Sequence, residues 1–187
     1  MVQLIGKGGL PAPMLSWLLE ELFTWQGQPQ RVEVLPAPAP AEGLGPKEWL
    51  LLLFQDSFSP PPELPSLNLP EHTVAIANAQ NVEVLQRLEG TALRTVPCGL
   101  SSRDTFTLAS STEESQVVAL QRSLVSFHGE TIEPMEFPVH DPRLLHLSRY
   151  SLMALCAVGC LTGEIEILLE FLSQKDQSLK IDTKEML

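Results

Sequence analysis

The stretch L-I-G-K-G-G-L-P-A-P-M-L-S-W-L-L-E-E-L-F-T-W-Q-G, Leu4–Gly27, sets the expected fold of the whole chain. With Val2 and Gln3 ahead of it, the run Val2–Ile5 predicts a short strand, Gly6–Gly9 a glycine-rich turn and Pro11–Gln26 a helix. Met14, Leu15, Leu18, Leu19 and Leu22 fall on one apolar face of that helix, with Glu20 and Glu21 off the stripe. Pro11 suits a first helical turn, where an amide hydrogen has no intrahelical partner, and Gly27 suits the stop. Strand, glycine turn and helix is the layout of a phosphate-binding loop, in which backbone amides at a helix N-terminus hold the anion. That chemistry also requires G-K-[ST] where the helix begins, with the lysine on the β- and γ-phosphates and the hydroxyl on Mg²⁺. Here Gly9 is followed by Leu10 and Pro11. The candidates for phosphate contact are therefore Gly6, Lys7, Gly8 and Gly9. The structural alternative is a tight strand-to-helix turn with Lys7 as a solvated cation.

Downstream the pattern continues as strands and helices in alternation. Arg31–Leu35 alternates and is β-branched, predicting a second strand. Pro36–Pro46 interleaves proline with alanine and reads as a stiff surface connection. Glu48–Phe54 is a continuous apolar run, as in strands buried on both faces of a parallel sheet. A proline-rich loop, Gln55–Pro70, leads to a further buried strand, His72–Ala77. Val82–Leu88 predicts a short helix and Ala92–Pro97 another strand. Thr105–Ser110, Gln116–Phe127 and Thr131–Val139 read as an antiparallel extension, with a turn at His128-Gly129 and edge or bulge positions at Pro134 and Pro138. A helix over Glu113–Ser123 is the alternative there. Asp141-Pro142 opens a helix running to about Cys160, and Glu164–Ser173 forms a last one. The expected organisation is one domain over residues 1–174 and a polar, frayed tail over 175–187.

Composition narrows the class. The 187 residues are 44% apolar and 19% charged, which is the profile of a globular domain with a sizeable core. Twelve basic against 23 acidic residues give a net charge of −11, which argues against nucleic acid as a partner. The apolar run before Gly6 is too short for the core of a secretory leader, and the longest apolar stretch, Leu152–Leu161, falls short of the roughly 20 residues of a membrane span. With an odd count of three cysteines, the expected location is cytoplasmic, with no membrane partner. Cys156 and Cys160 share a helix face and read as small buried thiols, with a metal pair as the alternative. Cys98 with His128 or His146 is a nucleophile–base candidate that sequence does not bring together; His72 and His140 show no ligand spacing. Ser101–Thr105 reads as a solvated polar turn, and Trp17, Trp25 and Trp49 as core or semi-core side chains.

In their order along the chain, four stretches resemble the central, ATP-binding domain of the Mur ligases, the amide-forming enzymes of peptidoglycan synthesis. The turn and helix from Gly6 look like that family's G-T-N-G-K-T-T loop and its helix. A-I-A-N-A-Q-N, Ala75–Asn81, is similar to its V-L-N-A-D-D-P strand end, and V-P-C-G-L-S, Val96–Ser101, to its V-T-Y-G-L-S segment. H-L-S-R-Y-S-L-M-A-L-C-A-V-G-C-L-T-G, His146–Gly163, looks like its G-x-H-N-x-x-N-x-x-A-A helix ending in L-G. The resemblance implies a mostly parallel P-loop-type sheet, with Asn78 and His146 as further nucleotide-site candidates. The departures fall on the family's chemistry. Leu10 and Pro11 occupy the places of the phosphate-binding lysine and the threonine on Mg²⁺; only Asp56 stands near the place of the metal-binding glutamate. Leu147 and Tyr150 replace two asparagines that help hold the nucleotide.

The expectation is thus an α/β domain with a mostly parallel sheet, an antiparallel extension and C-terminal helices. Its expected role is non-catalytic, an interaction or regulatory module with a protein partner or a second copy of itself, carrying no resident cofactor and no metal. The alternative is a domain that still binds ATP with Mg²⁺, or another phosphate ligand, as part of an ATP-dependent ligase assembly. Phosphoryl transfer rests on positioning and charge neutralisation, so loss of lysine, hydroxyl and metal carboxylate together removes its means.

Overall fold

The computed structural model describes residues 1–6, 11–28, 30–39, 48–56, 58–59, 69 and 72–174, with backbone alone for 11–13. An eight-stranded sheet runs through the domain in the order β2-β1-β3-β4-β5-β6-β7-β10. Its strands are β1 (Val2–Ile5), β2 (Val32–Leu35), β3 (Leu50–Phe54), β4 (Thr73–Asn78), β5 (Arg94–Cys98), β6 (Phe106–Ser111), β7 (Gln116–Leu120) and β10 (Met135–Val139). Pairings from β2 through β6 are parallel, and those joining β6 to β7 and β7 to β10 are antiparallel. A small hairpin, β8 (Leu124–Val125) with β9 (Thr131–Ile132), stands apart from this sheet. The fold is therefore α/β, with the parallel sheet and antiparallel extension expected from the strand–helix alternation.

Both faces of the parallel part are covered. Helix α1 (Pro11–Trp25) carries the chain from β1 to β2 and seats Leu15, Leu18, Leu19, Leu22 and Phe23 against one face. Helix α2 (Val82–Glu89) carries it from β4 to β5 and seats Val84 and Leu88 against the other. Strand β3 serves both cores: Leu51 and Leu53 join the first, Leu50, Leu52 and Phe54 the second. That two-sided burial is why its sequence is a continuous apolar run. After β2 the chain returns past β1 to lay down β3, so the sheet reverses its direction of growth between β1 and β3. Among the described helices, α4 (Arg149–Thr162) is the most enclosed, with every side chain from Tyr150 to Thr162 buried. Helix α5 (Ile165–Leu172) packs beside it and beside α1.

Several boundaries differ from the sequence expectation. The helix expected from Asp141 to Cys160 is two: α3 (Pro142–Leu145), capped by Asp141, and α4, capped by Ser148, whose hydroxyl accepts the Ser151 N–H at 3.1 Å. A serine in extended backbone ahead of an apolar run restarts the helix there. Gln116–Phe127 is likewise two strands, β7 and β8, and Thr131–Val139 divides at Pro134 into β9 and β10. Pro138 sits on β10, the sheet's edge strand, where its missing donor leaves no bond unmade. The helical alternative over Glu113–Ser123 is not taken, since 116–120 pairs on both sides. Gly27 ends α1 in the left-handed region (φ 65°), where a side chain is strained. Trp17 and Trp25 are 51% and 39% exposed, against the expectation of core or semi-core positions. Trp49 is half-buried and stacks on Phe127 at 4.8 Å. The expected connection Pro36–Pro46 and loop Gln55–Pro70 are described only in part, and residues 175–187 lie outside the described residues.

Candidate functional site

The parallel strands finish along one edge of the sheet, and the candidate residues collect there. Gly6 follows β1, Gln55 and Asp56 follow β3, Asn78 closes β4, and the first turn of α4 reaches the same edge. In open α/β sheets, ligands sit outside the carboxyl ends of the strands where the sheet reverses growth, here between β1 and β3.

Gly6 is accounted for by its neighbours. Its N–H donates to Leu35 O at 2.8 Å, prolonging the β1–β2 ladder by one residue. A Cβ on Gly6 would lie 2.4 Å from Gln55 Cδ and 2.8 Å from Gln55 Cβ, so glycine is what lets that side chain lie across the turn. One amide that an anion would use is thereby committed to the sheet. Lys7, Gly8, Gly9 and Leu10 lie outside the described residues. Gln55 itself is buried, and among the described residues its Nε2 has no hydrogen-bond partner. Gly6→Ala is therefore expected to destabilise the domain by about 1–3 kcal/mol through overpacking. Combination with Gln55→Ala, which removes the 2.4 Å contact but keeps the Cβ at 2.8 Å, should recover part of that loss in urea unfolding. An unchanged midpoint for Gly6→Ala would show that Gln55 does not press on the turn.

Asn78, at the end of β4, is held by its neighbours. Its Nδ2 donates to Asp56 Oδ1, and its Oδ1 accepts the Gln80 N–H at 2.8 Å. Asn81 caps α2, accepting the Val84 N–H at 3.2 Å while its Nδ2 donates to Phe58 O at 2.7 Å. Ser59 donates to Glu83 at 3.0 Å. Asp56, Asn78, Gln80, Asn81, Val82 and Glu83 line a shallow depression of about 500 Å³. With two carboxylates on its wall, it favours ligands that donate hydrogen bonds over anions.

His146 is exposed at the end of α3, and no hydrogen bond joins it to Asn78. One turn further on, Tyr150 is buried, and its hydroxyl donates to Phe54 O, with Ile76 O at 3.3 Å. The Tyr150 side chain thus fills the space between α4 and the ends of β3 and β4. Burial pushes its pKa well up, with charge at Cys98 and Asp56 adding, so it stays a neutral donor. At this edge, then, the Gly6 amide is bonded within the sheet, Tyr150 fills the space between α4 and the strand ends, and Asp56 and Glu83 face the depression.

Cys98, Cys156 and Cys160 are free and buried. Burial pushes the Cys98 thiol well up, with Cys156 and Asp104 adding, which is the reverse of an activated nucleophile. His128 points elsewhere, its Nε2 3.2 Å from Thr162 O in the arrangement of a donor. Among the described residues no group of three or more His, Cys, Asp or Glu is placed to hold a metal. The turn Ser101–Thr105 is less solvated than expected: Asp104 is buried and accepts the Ser101 N–H at 2.8 Å. Gln55 was not legible as a site residue, although a lone amide closing a wholly apolar strand is its signal. No helix among the described residues is long and apolar enough to cross a membrane. No protein-family model matches this chain, and no curated protein matches it.

Proposed function

We propose that this chain is a degenerate counterpart of the Mur ligase central domain that has lost its P-loop chemistry and works as a non-catalytic interaction or regulatory module. The stretches that carry the likeness support it by their placement: Gly6, Asn78, Gly99 and Tyr150 all come at or beside the carboxyl ends of parallel strands. A link to cell-wall metabolism rests on that likeness alone, and fold is a poor guide to function. The observation that carries the non-catalytic reading is the bonding of the Gly6 amide to Leu35 together with the wedge of Gln55 against Gly6.

One observation favours a second reading, a retained site for ATP or another phosphate ligand. The Gln55 Nε2 is a buried donor without an acceptor among the described residues, beside the turn that a phosphate would approach. Titration calorimetry with Mg-ATP separates the two. The non-catalytic reading expects no saturable heat. A Kd in the micromolar range, about −8 kcal/mol, that is abolished by Gly9→Asp would overturn it in favour of the second.

A further inference from the structure

Helix α1 presents two indoles to solvent. Trp17 and Trp25 are 51% and 39% exposed, eight residues apart on one stripe of the helix with Glu21 between them. Neither ring hangs free. The Arg143 guanidinium lies 5.5 Å from the centre of Trp17, and that arginine is held by Glu21 and Asp141. Trp25 stands edge-on to the buried ring of Phe171 at 6.0 Å and 79°. Exposed aromatics fixed in place lose little freedom when covered, and such side chains anchor protein interfaces.

Apart from Arg143, the charges that the described residues set on this face are acidic. Helices α1 and α5, which pack side by side, carry Glu20, Glu21, Glu166 and Glu170 and no lysine or arginine. The neighbouring cation, Arg143, is committed to Asp141 and Glu21. A second copy of this chain, with a net charge of −11, would set acid against acid, and an anionic membrane or nucleic acid would do the same. A basic partner alone complements both the indoles and the glutamates.

We propose that the outer face of α1, flanked by α5, docks a basic amphipathic helix that places apolar side chains on Trp17 and Trp25 and lysines or arginines against Glu20 and Glu170. The proposal rests on the interaction-module reading and gives it a partner chemistry.

The probe is a leucine/lysine amphipathic peptide of about five helical turns, roughly 18 residues, with a leucine/glutamate peptide of the same pattern as control. Nitrogen–proton spectra follow the three indole signals. The lysine peptide should shift Trp17 and Trp25 while sparing Trp49, and the glutamate peptide should shift none. Trp17→Ala/Trp25→Ala should weaken binding about tenfold or more. Glu20→Lys/Glu170→Lys, which leaves both rings in place, should weaken the lysine peptide and admit the glutamate one. Binding that survives the tryptophan substitutions would overturn the proposal, as charge alone would then account for it. So would Trp17 and Trp25 signals that move on removal of residues 175–187, or with a monomer–dimer equilibrium in sedimentation, since the tail or a second copy would then be the occupant. Heat with Mg-ATP bears on the parent reading, so the two fail separately.

Discussion

Tyr150→Ala is expected to lower the stability of the domain by about 3–5 kcal/mol, with a smaller loss of about 1–3 kcal/mol for Tyr150→Phe. The ring is 4% exposed within the core formed by α4 and the sheet, so truncation opens a cavity where the ends of β3 and β4 meet the helix. Phenylalanine keeps the ring and deletes only the donor, leaving Phe54 O and Ile76 O without it. For a chain of this size the alanine loss corresponds to a fall in Tm of roughly 10 °C. The sequence holds a single tyrosine, so its ionisation is readable by tyrosinate absorbance. Burial raises the pKa of this phenol in the folded state, and of the thiols of Cys98, Cys156 and Cys160. Unfolded, these groups release protons at about pH 8.5 for the thiols and about pH 10 for the phenol. Above those values the native state binds more protons than the unfolded one, so stability falls as pH rises. Tyrosinate absorbance should therefore appear with unfolding and not before it. A native tyrosine titrating near pH 10, or an unaffected Tyr150→Phe, would remove Tyr150 from the place given to it.

The strands that built this sheet were legible where burial left no choice. Leu50–Phe54 must be apolar on both faces, and Val2–Ile5 and Thr73–Asn78 are enclosed in the same way. Capping was legible as well: Asp141 ahead of Pro142 opens α3, and Gly27 closes α1. Breaks inside apolar runs were not. Leu144 through Leu155 reads as one helical face, and the stop at His146–Ser148 comes from Ser148 offering its hydroxyl to Ser151, a local bond that competes with the helix ladder. Trp17 was misplaced for a related reason. Periodicity sets an arc of the helix, and at its margin the exposure of an indole depends on whether a neighbour covers it; Arg143 covers only one face.

The candidate site divides along the same line. The glycines after β1, Leu10 and Pro11 at the helix start and Tyr150 early in α4 are read directly from the sequence. What those residues do depends on contacts between distant parts of the chain: Gln55 against Gly6, and Tyr150 against Phe54 and Ile76. A glycine needed for close packing and a glycine needed for a phosphate look identical in sequence. The bond from its amide to Leu35, which places Gly6 in the sheet ladder, is visible only in the fold.

Arg143→Met carries the second large effect, a loss of about 2–4 kcal/mol, and sequence gives no hint of it. The guanidinium joins three parts of the fold: Asp141 at 2.6–3.1 Å, both oxygens of Glu21 at 3.0 Å, and Gln174 at 2.9 Å. An exposed ion pair contributes at most about 1 kcal/mol, and at 32% exposure the arginine alone suggests no more. Its partner decides the magnitude. The Asp141 side chain is 1% exposed, and in Arg143→Met its surviving donor is the backbone N–H of residue 143, at 2.9 Å in the native chain. Stripping the cation from a buried carboxylate is the costly way to break such a pair, about 3–5 kcal/mol when both groups are enclosed and less where solvent reaches one. Glu21→Gln, on the solvent side, should therefore lose about 1 kcal/mol or less. Asp141→Asn with Arg143→Met should lose clearly less than the two single effects summed, since the asparagine has no charge to strand. Denaturant unfolding of the four proteins gives the comparison. Equal losses for Glu21→Gln and Arg143→Met would mean that solvent compensates Asp141, and that α1 is held to α3 by packing alone.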